Sequence, residues 1–135
     1  MSRKPSADGL NVYHATSFAT RQDLAAYIAC RDGGHTGGYC TSHAGGGDNG
    51  EGAWDDPTWR TDIAYCAVEA AIATHNRQMR VTLQDHAGNA LGVPFLCKVG
   101  DKGDHNTLDL NPGALKLAGL DPDMELDAVA IWEWV

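Results

Sequence analysis

The sequence predicts one mainly β domain, and three observations lead to this prediction. Short segments rich in β-branched and aromatic residues, or alternating between apolar and polar residues, recur along the chain. The strongest helix signals belong to a stretch of only a few residues near position 112. At 135 residues, the chain is long enough to bury a single hydrophobic core and is assigned to one domain, 1–135.

The first elements are a strand and a helix, which follow a polar tail of residues 1–10. Residues 11–18 form a short run of β-branched and aromatic side chains and predict the first strand. Thr20 is a suitable N-cap for a helix that ends near Cys30. The apolar stripe of this helix consists of Leu24, Ala25, Tyr27 and Ile28.

Residues 31–60 are predicted to be a long glycine-rich insertion loop. Nine of the twenty residues from 33 to 52 are glycine, mixed with histidine, serine, aspartate and asparagine. A structureless loop of this length is uncommon inside a compact domain. The composition suits a functional loop and a disordered surface insertion equally well.

The second half of the chain reads as strands with one short helix. Residues 62–72 suit a strand that passes into a turn of helix, and residues 79–85 and 90–99 suit a hairpin in which Pro94 marks an edge or a bend. Asn111 is an N-cap, followed by Pro112 at the first helical position and Gly119 at the end. The chain finishes in a predicted strand, 127–135, with the following residues expected toward the core: Val129, Ile131, and Trp132 or Trp134.

Charge and hydropathy exclude two classes of partner. The formal net charge is −8, and no group of basic residues is larger than the pair Arg3 and Lys4, so a nucleic acid backbone would be repelled. No segment approaches the roughly 20 apolar residues of a membrane span. Residues 1–10 carry no apolar signal segment.

The order of motifs in residues 79–135 resembles the double-psi β-barrel of rare lipoprotein A-like proteins. The matching segments are VGDKG at 99–103, LDL at 108–110, ALKLAG at 114–119 and the last strand. The wider group includes expansins, barwin-like proteins and family 45 glycoside hydrolases. The resemblance implies a six-stranded double-psi β-barrel with one or two short helices, into which the glycine-rich loop is inserted.

The match extends more weakly to residues 12–18, and the middle third of the chain has no counterpart in the group. Two departures from the group stand out. The spacing between Asp101 and Asp109 is shorter than in the bacterial lipoproteins, and Asp104 and His105 replace a hydrophobic or proline-containing segment.

The resemblance implies that Asp109 is a general acid, as the aspartate of the matching segment is in the polysaccharide-cleaving members. A general acid must hold its proton near neutral pH, which requires burial or a neighbouring carboxylate, and Asp101 is the expected neighbour. The first strand contains no second carboxylate for hydrolysis, so Glu51 in the loop is the remaining candidate. The alternative for Asp109 is a structural carboxylate at the start of the helix that follows.

Five further residues are candidates for substrate binding: Tyr13, Trp54, Trp59, Asp104 and His105. Exposed aromatic rings beside carboxylates suit sugar stacking, although a tryptophan is equally often buried in a core. For Asp104, a solvated turn is the simpler interpretation.

The four cysteines, Cys30, Cys40, Cys66 and Cys97, suit two disulfides in an oxidising compartment. We expect Cys30 and Cys40 to close the glycine-rich loop. These two residues with His35 and His43 also have zinc-ligand types at an unfamiliar spacing, a less favoured interpretation. Cys66 and Cys97 are expected either to pair or to remain buried thiols.

These features predict cleavage of a cell-wall polysaccharide, most plainly peptidoglycan, by a lytic transglycosylase that requires no cofactor. The alternative is a non-catalytic barrel that acts as a binding or assembly module in an envelope complex or a phage particle. Both interpretations expect an extracytoplasmic protein, whether secreted, in the cell envelope or associated with a virion. They differ in partner, which is a polysaccharide in the first and includes other proteins in the second.

Overall fold

The computed structural model describes residues 11–19, 25–43, 53–54, 56, 58 and 60–135. Within these ranges there are six strands and three short helices. The strands are β1 (Asn11–Ser17), β2 (Tyr65–Glu69), β3 (Gln78–Gln84), β4 (Ala90–Gly103), β5 (Thr107–Leu110) and β6 (Asp127–Trp134). The helices are α1 (Ala25–Asp32), α2 (Gly37–His43) and α3 (Pro112–Leu117).

The six strands form a closed barrel in the order β1-β5-β2-β4-β3-β6. The pairs β1 with β5 and β2 with β4 are parallel, and the other four pairs are antiparallel. Closure leaves none of the six described strands with an unpaired edge. The prediction of a mainly β, six-stranded barrel is therefore confirmed, and this mixed topology is compatible with a double-psi barrel.

The barrel interior is filled by alternate residues of each strand. On β6 these are Ala128, Ala130 and Trp132, all nearly inaccessible to solvent. Val129 and Ile131 are only partly buried, so the expectation that they face the core is wrong. The two alanines leave room for the large rings of Trp132 and Tyr13, which meet edge to face with centroids 5.2 Å apart.

Helix α2 lies inside the segment that was predicted to be a structureless loop. The hydroxyl of Thr36 accepts a hydrogen bond from the backbone N–H of Tyr39, at 3.2 Å, and so caps its first turn. A small separate cluster of buried residues covers α1 and α2, consisting of Ala19, Tyr27, Ile28 and Cys40. The glycine content concealed this helix because its stability comes from packing and a crosslink rather than from helix propensity.

Helix α3 begins and ends where the sequence predicted. Asn111 is the N-cap, Pro112 is the first helical residue, and Gly119 adopts a left-handed φ of +81° just after the C-cap, Ala118. Its buried face includes Ala114 and Leu115. The helix leads from β5 toward the last strand and sits against β4, β2 and β5.

Candidate functional site

Four neighbouring strands bring Thr16, Asp109, Ala67 and Asp101 into one row, which we call the carboxylate row. Thr16 of β1 pairs with Asp109 of β5, and Asp109 pairs with Ala67 of β2. On its other side, Ala67 pairs with Asp101 of β4, next to a register shift in β2. Residues that face each other across paired strands present their side chains on the same face.

The alternation of β5 turns Asp109 away from the core. Leu108 and Leu110 on either side are fully buried in the barrel, and Asp109 between them is half-buried. The hydroxyl of Thr16 donates a hydrogen bond to Oδ1 of Asp109. The local sequence thus directs the carboxylate outward, and the neighbouring strand supplies its hydroxyl partner.

Asp101 lies on the far side of Ala67 from Asp109. Its Oδ1 accepts from the backbone N–H of Lys102 at 2.8 Å. Neighbouring strands are spaced by about 4.8 Å, so the backbones that carry the two aspartates are about 10 Å apart. The side chain of Ala67 between them is small, so no large side chain of β2 separates the two carboxylates in the row.

Glu69, at the end of β2, is a further carboxylate that the sequence did not single out. Its side chain is only 13 % exposed. The hydroxyl of Tyr13 donates to its Oε1, and Nδ1 of His105 lies 2.5 Å from its Oε2. We call Tyr13, Glu69 and His105 the Glu69 cluster. The available signal in the sequence was a single acidic residue inside the otherwise apolar run 63–73.

The surroundings of Tyr13 in the Glu69 cluster change its pKa. Burial, and then the hydrogen bond and negative charge of Glu69, raise the pKa of Tyr13 well above its ordinary value. Tyr13 is therefore a neutral hydrogen-bond donor at physiological pH. His105, by contrast, has a side chain that is 68 % exposed.

The Glu69 cluster lies next to the carboxylate row. Glu69 is two residues along β2 from Ala67, whose register partner is Asp109. Such diagonal neighbours on paired strands have Cα atoms about 7–8 Å apart. The barrel thus brings Asp101, Asp109, Tyr13 and His105 of the predicted site to one region.

Trp54 packs against the barrel, and Asp104 lies in an exposed turn. Trp54 is partly buried against the barrel core, and His75 stacks on its ring with centroids 4.7 Å apart. Nζ of Lys102 lies 5.3 Å from the centroid of the same indole. Asp104 is exposed in the turn before β5, where its carbonyl accepts from the N–H of Thr107 at 3.3 Å. Glu51 and Trp59 lie outside the described residues.

One disulfide, Cys30 to Cys40, joins α1 to α2 with an S–S distance of 2.05 Å. Cys66 and Cys97 are free thiols in the barrel core, so of the two alternatives expected for them the structure has buried thiols and not a second disulfide. Cys66 of β2 lies opposite Val99 of β4, two residues from Cys97, so the two thiols are neighbours in the core. The hydrogen bond to Cys97, and then burial, raise the pKa of the Cys66 thiol.

The disulfide also rules out the zinc site considered for Cys30, His35, Cys40 and His43, because neither cysteine has a thiolate left to bind a metal ion. The rings of His35 and His43 instead stack on the two faces of Tyr39, with centroid distances of 4.4 Å and 4.0 Å. Among the residues that the structure describes, no group of three or more His, Cys, Asp or Glu side chains is arranged to hold a metal ion.

Asp127, His14 and His86 form a second polar cluster, on the surface of the barrel. Oδ1 of Asp127 on β6 lies 2.8 Å from Nε2 of both His14 on β1 and His86 in the turn between β3 and β4. These contacts, with His86 the larger cause and His14 the next, lower the pKa of Asp127. All three side chains are well exposed. This arrangement suits a surface tie between elements.

No protein-family model matches the chain, and no curated protein matches it in sequence. In the described part of the chain, no helix has the length and apolar character needed to cross a membrane.

Proposed function

We propose that the protein cleaves a cell-wall polysaccharide of the peptidoglycan type, as a lytic transglycosylase with Asp109 as its general acid. The observation that carries the proposal is the carboxylate row, in which Asp109 is held by Thr16 and faces Asp101 across Ala67. The resemblance of residues 79–135 to the double-psi barrels of polysaccharide-active proteins supports it, since the closed six-stranded barrel is compatible with that fold.

The chemistry requires a proton for the departing glycosidic oxygen and stabilisation of the positive charge that develops on the sugar. Asp109 supplies the proton. Thr16 holds it in either protonation state, because a hydroxyl can donate to a carboxylate or accept from a carboxylic acid. Asp101, on the other side of Ala67, supplies the negative charge beside the developing cation.

Location in an oxidising compartment, in the cell envelope or outside the cell, belongs to the same proposal. The disulfide between Cys30 and Cys40 supports it, because such bonds persist mainly where thiols are not kept reduced. A polysaccharide of the cell wall would be accessible there.

A non-catalytic binding or assembly module is the second candidate, and two observations favour it. The hydroxyl of Thr16 donates to Asp109, and such a contact equally suits a structural carboxylate that takes no part in catalysis. The formal net charge of −8 would oppose close approach to an anionic wall.

The test is incubation of purified protein with peptidoglycan and, separately, with cellulose, with soluble products identified by mass spectrometry. We expect anhydro-muropeptides from the unmutated protein and a loss of about 10²-fold or more in Asp109→Asn. Glu133→Gln is the charge-matched control, because Glu133 pairs with Arg80 on the opposite side of the barrel. If a folded, unmutated protein releases no product from either polymer, the enzyme is excluded and the binding module remains.

A further inference from the structure

We propose that His105 is the base that takes the proton from the attacking sugar hydroxyl, and that Glu69 is the positioning residue that orients it. This inference rests on the proposed function and names a second catalytic group for it. It is carried by the geometry of the Glu69 cluster, in which a nearly buried carboxylate holds one nitrogen of an exposed imidazole.

The contact between Glu69 and His105 determines which imidazole nitrogen is available. An ionised carboxylate can only accept hydrogen bonds, so Nδ1 of His105 carries the proton at this 2.5 Å contact. In the neutral ring, Nε2 is then an unprotonated acceptor. Because the side chain is 68 % exposed, this nitrogen is accessible to a substrate hydroxyl.

Tyr13 fixes the carboxylate in turn. Its hydroxyl donates to Oε1 of Glu69, while Oε2 contacts His105, so each carboxylate oxygen has a separate partner. The ring of Tyr13 is anchored in the barrel core against Trp132. A rigid strand therefore holds Glu69, and Glu69 holds the imidazole, which is the order of support that an oriented base requires.

His105 lies close in the chain to Asp109, the proposed acid. His105 lies in the turn just before β5, and Asp109 is four residues further on, on the outward-facing set of that strand. Glu69 is the diagonal neighbour of Asp109 through Ala67. One face of the barrel thus carries a proton donor on β5 and, in the turn before that strand, a proton acceptor that Glu69 of β2 orients.

The step balances with these two groups. The bond between the anomeric carbon and the departing oxygen breaks, and that oxygen receives the proton of Asp109. The primary hydroxyl of the same sugar forms a new bond to the anomeric carbon, and its proton passes to Nε2 of His105. Exchange with solvent returns both side chains to their starting states, with no oxidant, metal or net water consumed.

The orientation is tested first by ¹⁵N NMR of histidine-labelled full-length protein, with the His105 signal assigned by its loss in His105→Gln. At a pH where the ring is neutral, we expect the Nδ1-protonated tautomer in the unmutated protein and its loss in Glu69→Gln. Asp56→Asn is the matched control. Asp56 and His75 form another carboxylate–histidine contact of 2.5 Å, which involves Nε2 of the ring rather than Nδ1. That variant should leave the His105 signal unchanged. A His105 tautomer that does not change in a folded Glu69→Gln protein would overturn the proposed orientation.

The catalytic part is tested by the rate of product release from peptidoglycan. We expect His105→Gln to lower the rate by about 10²-fold or more, and Glu69→Gln to lower it comparably, because an oriented base and its positioning residue act as a unit. Tyr13→Phe keeps the aromatic ring in the core, so it remains usable if a Glu69 variant fails to fold, and it should give a smaller loss. Glu133→Gln should retain the rate.

The outcomes separate this inference from the proposed function. Full activity in His105→Gln, together with loss in Asp109→Asn, would overturn the base and leave the lytic transglycosylase in place. Absence of product from the unmutated protein would exclude both, whatever the NMR result. Parallel losses in His105→Gln and Glu69→Gln, with the tautomer lost in Glu69→Gln, would establish the pair.

Discussion

At the scale of the residue, Asn111 illustrates how one buried polar side chain joins distant segments. Its Oδ1 accepts from the backbone N–H groups of Tyr65, at 2.8 Å, and Ala114, at 2.9 Å. Its Nδ2 donates to the carbonyls of Thr58, at 2.9 Å, Arg60, at 3.2 Å, and Ile63, at 2.9 Å. The side chain is completely buried, so these contacts replace those that water would make.

We expect Asn111→Ala to lower the free energy of unfolding by about 3 kcal/mol, because it removes a helix N-cap and leaves several buried backbone groups without partners. Asn111→Asp is the companion variant. It keeps the oxygen that caps α3 but replaces the NH₂ group by a second oxygen, which cannot donate to the three carbonyl groups around it. Urea denaturation of the three proteins provides the measurement. A loss below about 0.5 kcal/mol in Asn111→Ala would mean that the surrounding segments satisfy these groups without it.

Glu69 shows the limit of prediction at the same scale. The sequence drew attention to Asp101 and Asp109 because they lie in motifs, and to Tyr13 and His105 because of their side-chain chemistry. Glu69 was marked only by being acidic within an apolar run, and its partners Tyr13 and His105 lie 56 and 36 residues away along the chain. A carboxylate acquires this kind of environment only when the barrel closes.

At the scale of the element, helix α3 depends on a close approach that only glycine allows. A Cβ at Gly113 would lie 1.9 Å from the carbonyl oxygen of Ile63. The same carbonyl accepts from Asn111, so the segment that leads into β2 is held tightly against the start of α3. The helix is thus positioned by its first turn.

We expect Gly113→Ala to destabilise the protein by about 2 kcal/mol or more, because the added methyl group must displace backbone. Gly38 in α2 is the matched control, since a Cβ there would meet no atom of the described residues within 4 Å. Gly38→Ala should be neutral or should stabilise by up to about 1 kcal/mol through helix propensity. Thermal or urea unfolding distinguishes them, and equal effects in the two variants would contradict the close approach at Gly113.

At the scale of the whole molecule, the described residues form two separate hydrophobic clusters. The larger one fills the barrel and includes residues of all six strands and α3. The smaller one holds α1 and α2 around Tyr27 and Ile28, and the disulfide between Cys30 and Cys40 crosslinks them. A small apolar cluster contributes little stability on its own, so this helical pair depends on its crosslink.

We expect Cys30→Ser/Cys40→Ser to loosen α1 and α2 while the barrel retains its structure. Closure of so short a loop contributes about 3 kcal/mol. Hydrogen exchange read by mass spectrometry should show faster exchange in α1 and α2 and unchanged protection in β3, β4 and β6. Equal loss of protection in the barrel strands would show instead that the two clusters unfold as one cooperative unit.

The sequence by itself determined the elements whose signals are local. Alternation and β-branched residues predicted β1, β3 and β6. The N-cap Asn111, Pro112 at the first helical position and Gly119 at the end predicted α3. The expected strand at residues 90–99 continues as β4 to Gly103, because pairing with β2 extends it. On β6, Trp132 faces the core as expected, but the other inward residues are Ala128 and Ala130 rather than Val129 and Ile131, because alternation puts residues 128, 130 and 132 on one face.

Only the tertiary structure decided which residues meet. Thr16 and Asp109 are 93 residues apart in sequence and become neighbours because β1 and β5 pair in parallel within the closed barrel. The same closure brings Glu69 between Tyr13 and His105, and it places Cys66 and Cys97 side by side in the core as free thiols. Periodicity in a sequence encodes which face of a strand is buried, whereas the register between strands follows from packing the whole core, and the candidate site is a product of that register.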